Sequence, residues 1–311
     1  MKRATDSADR SHVISPAVGD RPTSSASDGP CLADRDYRLV ADIIYRHAGI
    51  KLGDDKRELV RSRLAKRLRA VGMTDFGDYL KRHIQPAFTS ANPSPAGEAK
   101  HFVDALSTNL TSFFREKSHF DYLRNTFLPS LIADRARHGD RRIRAWCAAC
   151  SSGEEAYTLA MTLLSSVPDG GRGWDVKLLA TDISTRVLAT ATAGVYPMAR
   201  CSGIPSNLAG RFFEPRRMTD GSQALAAGRE LKSIIRFRHL NLMGDWPFTG
   251  PFDFIFCRNV MIYFDKQTQE RLVLRFHQML PAGSLLFTGH SESLTGLRHP
   301  YTHVEASIYR K

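Results

Sequence analysis

The sequence predicts an α/β protein in which a small all-helical domain precedes an open, mainly parallel sheet. Apolar residues between residues 34 and 107 recur at helical spacing. Beyond residue 140, short apolar runs alternate with helical segments, which is typical of βαβ units. With 311 residues, of which 42% are hydrophobic and 24% charged, the chain is long enough for two folded domains.

The composition sets limits on the compartment and the partner. Residues 1–33 are rich in Ser, Asp, Pro and Ala, so we predict a disordered leader. No secretory signal and no apolar stretch of about 18 residues is present, which predicts a cytoplasmic protein without membrane insertion. Five cysteines at irregular spacings fit reduced thiols. The net charge of +12 indicates an acidic partner: nucleic acid, an anionic membrane surface or an acidic protein.

Two helices open the first domain. One is predicted over DYRLVADIIYRHA, residues 36–48, and ends at Gly49; the other is predicted over residues 54–72. The second helix has an apolar face of Val60, Leu64, Leu68 and Val71 and a basic face of Arg63, Lys66 and Arg69. A solvated surface would explain most such charge runs, but no acidic residue follows Glu58 before Asp75, so we favour an acidic protein partner.

The remaining elements follow in order. Helices around 75–84 and 98–107, separated by the Pro- and Ser-containing segment 86–97, complete the helical domain. Strands are predicted within 142–148, 175–183, 233–241, 252–257 and 284–290, with helices at 154–166, from 184 and at 266–279. An insertion at 193–234 separates the second strand from the third.

The run TNLTSFFREKSHF, residues 108–120, sets polar groups among phenylalanines. Asn109, Thr111 and Arg115 could reach a small polar ligand if a loop enters a helix here, with Phe113 and Phe114 anchoring it. The alternative is a capped helix start in which Thr111 is the N-cap and Glu116 lies in the first turns.

Polar residues also follow the first two strands, where ligands bind in parallel sheets. Ser151, Ser152 and Gly153 form a predicted turn in which the glycine lets the backbone approach a ligand. Asp182 ends the second strand, where an acid commonly binds ribose hydroxyls; the alternative is a helix N-cap.

Two further motifs could indicate other chemistry. The pair Cys147 and Cys150 is a lone C-x-x-C, so we expect packing residues and predict no metal site. GHSES at 289–293 lacks the final glycine of a hydrolase elbow, and we interpret it as a wall of the pocket.

Three motifs, TNLTSFFREKSHF, WCAACSSGEEAYTLA at 146–160 and FDFIFCRNVMIYF at 252–264, together resemble the chemotaxis-receptor methyltransferases, the CheR family. The resemblance runs from about residue 34 to the end. It implies a helical substrate-recognition domain at 34–107, a Rossmann-like S-adenosylmethionine methyltransferase domain at 108–311, and a small β-subdomain at 193–234. It also implies methyl transfer from S-adenosylmethionine to receptor glutamates, giving γ-methyl esters and S-adenosylhomocysteine.

The resemblance assigns roles to residues at matching positions. It implies cofactor contacts from Asn109, Thr111, Arg115, Glu155, Asp182, Asn241, Leu242, Arg258 and Asn259. Packing for Leu242 and surface pairing for Arg258 are the alternatives. Arg115 would steer a carboxylate and Tyr263 would orient the reacting groups. A carboxylate nucleophile needs no general base, since its ordinary pKa of about 4.3 leaves it ionised at pH 7.

The expected partner is the acidic helical cytoplasmic region of methyl-accepting chemoreceptors, contacted by Arg63, Lys66 and Arg69. Whether the β-subdomain also binds a receptor C-terminal tail peptide stays open, and we expect a monomer. A nucleic-acid methyltransferase is the first rival, but the chain lacks an Asn-Pro-Pro-aromatic turn and an aromatic-rich basic stretch. A cofactor-binding adaptor without turnover is the second.

Overall fold

The computed structural model describes residues 30–89 and 96–311. Most of the predicted leader, residues 1–29, lies outside these ranges. At residues 30–33 the chain joins the helical domain, where Leu32 is buried and its carbonyl accepts a hydrogen bond from Arg57. No helix in the described ranges is both long and apolar enough to cross a membrane.

Five helices build the first domain: α1 (Asp34–Ala48), α2 (Arg57–Ala70), α3 (Phe76–Tyr79), α4 (Gln85–Phe88) and α5 (Glu98–Leu106). Gly49 ends α1 in the left-handed conformation, as a glycine C-cap does. A π-helical turn at Leu80–Ile84 joins α3 to α4, so helix extends into the segment from 86 that the sequence assigned to a linker. Pro86 is tolerated because it lies in the first turn of α4.

The apolar face of α2 is buried as predicted. Val60, Leu64 and Leu68 are at most 1% exposed and join the core of the helical domain. Val71 lies just beyond the helix end and packs at the edge of the same core. Truncating a fully buried leucine such as Leu64 to alanine would cost about 2–5 kcal/mol of stability.

The second domain begins with α6 (Lys117–Tyr122) and α7 (Leu128–Arg137), joined by a π-helical turn. Its main elements follow as β1 (Arg142–Ala148), α8 (Glu154–Ser166), β2 (Asp175–Asp182), α9 (Thr185–Ala193), β3 (Val195–Pro197), α10 (Ser206–Phe212), β4 (Phe213–Arg217), β5 (Gln223–Ala227), α11 (Arg229–Ile234), β6 (Ile235–His239), β7 (Phe254–Cys257), α12 (Lys266–Met279), β8 (Leu285–Phe287), β9 (Thr302–Glu305) and β10 (Ile308–Arg310).

Seven strands form the main sheet, in the order β6-β2-β1-β7-β8-β10-β9. The first five are parallel, and β10 runs antiparallel to both of its neighbours. Apolar cores cover both faces of the sheet. Because β1 lies at the centre of the five parallel strands, with β2 and β7 beside it, the residues after these three strands meet at one edge of the sheet.

A separate antiparallel sheet, in the order β3-β5-β4, lies between β2 and β6 in the chain. The predicted fold class is therefore confirmed: a helical domain, then a Rossmann-like domain with a small β-subdomain. A helix was expected to follow the loop within 108–120, where α6 begins at Lys117, but α7, α10, α11, β9 and β10 were not predicted. The sequence also placed the start of β6 too early, because Ser233 and Ile234 belong to α11.

Candidate functional site

A cleft opens at the carboxyl ends of β1, β2 and β7 and is closed on one side by the helical domain. All the predicted cofactor residues line it: Asn109, Thr111, Arg115, Glu155, Asp182, Asn241, Leu242, Arg258 and Asn259. Tyr263 and Arg63 line it as well. Residues far apart in sequence thus share one site, although their individual roles stay predictions.

The segment between α5 and α6 forms one wall and is held in place as a loop. Phe113 is buried and packs edge-on against Tyr196, with ring centroids 5.1 Å apart. The backbone N–H of Phe114 donates to Oγ1 of Thr158 at 3.2 Å. The alternative with Thr111 as N-cap is wrong, because α6 begins only at Lys117 and its N-cap is Glu116.

The turn after β1 approaches the cleft through Ser151. Its backbone N–H donates to Oδ2 of Asp182 at 2.8 Å, and its hydroxyl donates to the carbonyl of Asn109 at 2.9 Å. Gly153 was expected to admit a ligand, but it serves internal packing. Its φ is 100°, and an added Cβ would lie 2.7 Å from the Tyr196 hydroxyl.

Asp182 lies buried at the end of β2. Its carboxylate accepts hydrogen bonds from the backbone N–H groups of Ser151 and Ser184, each at 2.8 Å. Burial raises the pKa of Asp182 to about 6, against the lowering effect of these donors. The N-cap alternative is wrong, because Ser184 caps α9 through its own hydroxyl.

A buried charge cluster forms the floor around Arg258. The Arg258 guanidinium lies 2.7 Å from Oε2 of Glu155 and 2.9 Å from Oε2 of Glu116, and it also donates to the carbonyl of Arg115. Its side chain is fully buried, so surface pairing is wrong for Arg258. Burial raises the pKa of Glu155, and Arg258 opposes that rise. Cys147 is buried beside Glu155 and donates to it, as a packing residue would.

The loop after β7 is held from behind by Glu292. This buried carboxylate accepts backbone N–H groups from Asn259 and Gly289 at 2.6 Å and from Ile262 at 3.1 Å. Asn259 takes the left-handed conformation with φ 58°. The GHSES segment therefore supports the cleft without lining it, which corrects its interpretation as a wall.

The helical domain forms the opposite wall. The Asn241 side chain is engaged there, since Nδ2 donates to the carbonyl of His47 at 2.6 Å and Oδ1 accepts from the N–H of Met243. Leu242 is buried and packs in the adjoining core. The carbonyl of Tyr263 accepts the N–H of Lys51 at 2.9 Å. Contacts between the two domains thus shape the cleft.

The basic face of α2 divides into two parts. Arg63 lines the cleft and donates to the carbonyls of Leu106 and Ser107 at 3.2 and 3.3 Å. Lys66 and Arg69 are exposed outside the cleft. In the described part of the chain, none of these three forms an ion pair, whereas Arg61 and Arg67 pair with Glu58 and Glu98.

The sequence placed Ser151 and Glu292 near the pocket but did not predict that they, together with Glu116, fix the loops around it. Only the capped-helix alternative named Glu116, as an early helical residue, whereas it lies at φ 55° and receives hydrogen bonds from Asn259 Nδ2 and the N–H of His290, both at 3.1 Å. Its partners are distant in sequence, so no local pattern could have revealed them. Of these residues, only Glu292 could have been recognised from the sequence, as an acid in the loop that follows the apolar strand β8.

The cleft fits an adenosine cofactor. Nδ2 of Asn109 is buried at the cleft without a hydrogen-bond partner in the described structure, so it can donate to a ligand. Asp182 has lone pairs left for ribose hydroxyls, and Glu155 can receive a cationic amino group. Leu242, Ile183 and Val260 supply apolar walls for a base.

The fold and the site define a Rossmann-like methyltransferase with an S-adenosylmethionine-binding domain. A model of the CheR methyltransferase SAM-binding domain matches residues 109–310, and a model of the CheR all-alpha domain matches residues 35–107. The chain belongs to the CheR methyltransferase family, whose members are S-adenosylmethionine-dependent methyltransferases of chemotaxis.

Curated relatives cover most of the chain. The chemotaxis protein methyltransferase of Escherichia coli is 40% identical over 280 residues, spanning 89% of this chain and 91% of that protein. A probable chemotaxis protein methyltransferase of Rhizobium etli is 39% identical, covering 86% and 96%. Chemotaxis protein methyltransferase 2 of Pseudomonas aeruginosa is 40% identical, covering 88% and 92%.

Proposed function

We propose that this protein transfers the methyl group of S-adenosylmethionine to glutamate carboxylates of chemoreceptors. The products are glutamate γ-methyl esters and S-adenosylhomocysteine, so the enzyme is a protein-glutamate O-methyltransferase. Family membership supports the chemistry, and the charges around the cleft support the substrate. Lys51, Arg63 and Arg115 line the cleft and form no ion pair within the described residues, which suits an acidic protein surface.

The main support for a carboxylate as the methyl acceptor is that the described residues lining the cleft include no free general base. No histidine or cysteine occurs among the described residues that line it. Glu155 is engaged by Arg258, and Asp182 accepts two backbone N–H groups. Such a site does not favour an acceptor that must lose a proton, whereas a glutamate is already ionised at pH 7.

Bound S-adenosylmethionine supplies an electrophilic methyl group on a sulfonium. The protein has to orient the glutamate oxygen towards that methyl and exclude water. Arg115 donates one hydrogen bond to the carbonyl of Leu110 at 2.9 Å and keeps further N–H donors for a carboxylate. Tyr263, in the loop after β7, orients the reacting groups from the wall that adjoins the helical domain.

Asn109 and Asp182 hold the cofactor by donating from the buried Nδ2 and accepting ribose hydroxyls, respectively. Thr111, Asn259 and Glu155 contribute further polar contacts, and Leu242 packs against the cofactor. Arg258 and Asn241 act mainly by fixing Glu155 and the domain contact, because their polar groups are already engaged.

The experiment is transfer of radiolabel from methyl-labelled S-adenosylmethionine to membranes that contain the receptors, followed by mild alkali. Alkali-labile label released as methanol from receptor-sized bands is the expected result. Alkali-stable label, or label on RNA, would overturn the substrate. Tight cofactor binding without any transfer would support an adaptor.

A further inference from the structure

Two large apolar side chains lie exposed at the edge of the cleft. Leu59 on α2 is 44% exposed, and Leu110 in the loop between α5 and α6 is 83% exposed. Single exposed leucines are common on protein surfaces and need no explanation. These two differ because they line the same cleft, beside the cations that we assign to an acidic partner. We call Leu59 and Leu110 the apolar rim.

The backbone holds Leu110 in its exposed position. Nη1 of Arg115 donates to the Leu110 carbonyl at 2.9 Å, and the Ser151 hydroxyl donates to the carbonyl of the preceding Asn109. Three residues further on, Phe113 is buried. Any shift of the backbone at Leu110 would therefore break hydrogen bonds to Arg115 and Ser151. An exposed side chain in a fixed backbone is pre-organised for binding, which lowers the ordering entropy that association costs.

Arg63 lies between the two leucines of the apolar rim and connects α2 to the segment before Leu110. Leu59 and Arg63 are four residues apart on α2, so they lie on the same side of the helix. The Arg63 guanidinium donates to the carbonyls of Leu106 and Ser107, directly before the loop that carries Leu110. The leucines thus flank a cation that has no acidic partner in the described part of the chain. Apolar groups bordered by charge are the usual composition of a protein-binding surface.

We propose that the apolar rim packs against apolar side chains on the receptor's acidic helical surface, beside the glutamate that is methylated. This inference rests on the proposed function and specifies how that site selects its substrate. Charge complementarity favours the acidic receptor surface as the partner, because Lys51, Arg63 and Arg115 line the same cleft as the leucines. The cations attract the acidic surface, and the leucines bind its apolar side chains once water is displaced.

The test uses Leu59→Ser and Leu110→Ser in the full chain. Leu274→Ser is the matched control, because Leu274 on α12 is 43% exposed and does not line the cleft. Initial rates of methyl transfer are measured against increasing concentrations of receptor-containing membranes. Cofactor binding is measured separately by calorimetry with S-adenosylhomocysteine, and thermal unfolding verifies the fold.

We expect each rim variant to raise KM for the receptor roughly tenfold, with kcat and the cofactor Kd close to wild type. Leu274→Ser should leave all three unchanged. If the rim variants have the same receptor KM as Leu274→Ser, the proposed role of the apolar rim is wrong, while the proposed function is unaffected. A weaker cofactor Kd with an unchanged receptor KM would assign the leucines to the cofactor instead. No transfer by the wild type would overturn the proposed function itself.

Discussion

Glu116 forms an ion pair with the fully buried Arg258, with Oε2 and Nη2 2.9 Å apart. Burial alone would raise the pKa of Glu116, but Arg258 and Asn259 together hold it at about 2. A lowered carboxyl pKa contributes stability above its unfolded value, near 4.5, and this contribution is lost as the pH falls through about 2. The pair is therefore intact throughout the neutral range.

Glu116→Gln should lower the free energy of unfolding by about 3 kcal/mol at pH 7, because it leaves the buried Arg258 with one carboxylate partner in place of two. Cofactor affinity should fall too, since Glu116 orients Asn259 and Arg258 at the cleft. Denaturant unfolding and calorimetry measure both effects. Glu305→Gln is the control, because Glu305 is exposed on β9. A Glu116 variant as stable as this control would contradict the prediction.

Cofactor affinity should depend on pH through Asp182. Its pKa is raised to about 6 by burial, so below pH 6 the carboxyl gains a proton and loses acceptor capacity for ribose hydroxyls. We expect roughly tenfold weaker binding of S-adenosylhomocysteine at pH 5 than at pH 7.

Asp182→Asn provides the comparison for this effect, because an amide does not titrate. It should bind the cofactor more weakly than wild type at pH 7 and show little change down to pH 5. If the variant keeps the wild-type pH profile, the titrating group is another one, with Glu155 the first candidate because burial raises its pKa as well.

Arg115→Ala should reduce methyl transfer by about a hundredfold or more, because a carboxylate loses its positioning donor. Arg115→Lys should recover only part of the rate, since an ammonium lacks the planar fork of a guanidinium. Arg298→Ala, at an exposed position, controls for the loss of one positive charge. Methyl transfer by Arg115→Ala at the wild-type rate would show that Arg115 does not position the carboxylate.

Lys66→Glu and Arg69→Glu should raise KM for the receptor, and the effect should weaken as salt is added, because exposed charges are screened. The stability of these variants should stay near wild type. Lys266→Glu, on the exposed start of α12, is the charge-matched control. A salt-independent effect would point to a structural disturbance in place of charge attraction.

Local patterns predicted most of the architecture because they report burial and periodicity. The spacing of four residues between Val60, Leu64 and Leu68 predicted the buried face of α2, and the end of the second predicted strand placed Asp182 at the ligand edge of the sheet. The short strands β9 and β10 were missed because their residues are mostly polar or separated by a turn. The contacts of Glu116 and Glu292 could not be predicted from the sequence, because they join loops that are distant in sequence and meet only in the folded chain.

The contact between the two domains has a wider consequence. Asn241 reaches the carbonyl of His47, Lys51 bonds to Tyr263, and residues of α2 help to enclose the cofactor cleft. The helical domain therefore supplies part of the cleft wall as well as its own surface. Under the proposed function, a substitution on α2 that changes receptor binding can therefore also change the wall of the cleft. If a new receptor preference evolves through this domain, the same substitutions must preserve both the surface that binds the receptor and the wall that encloses the cleft.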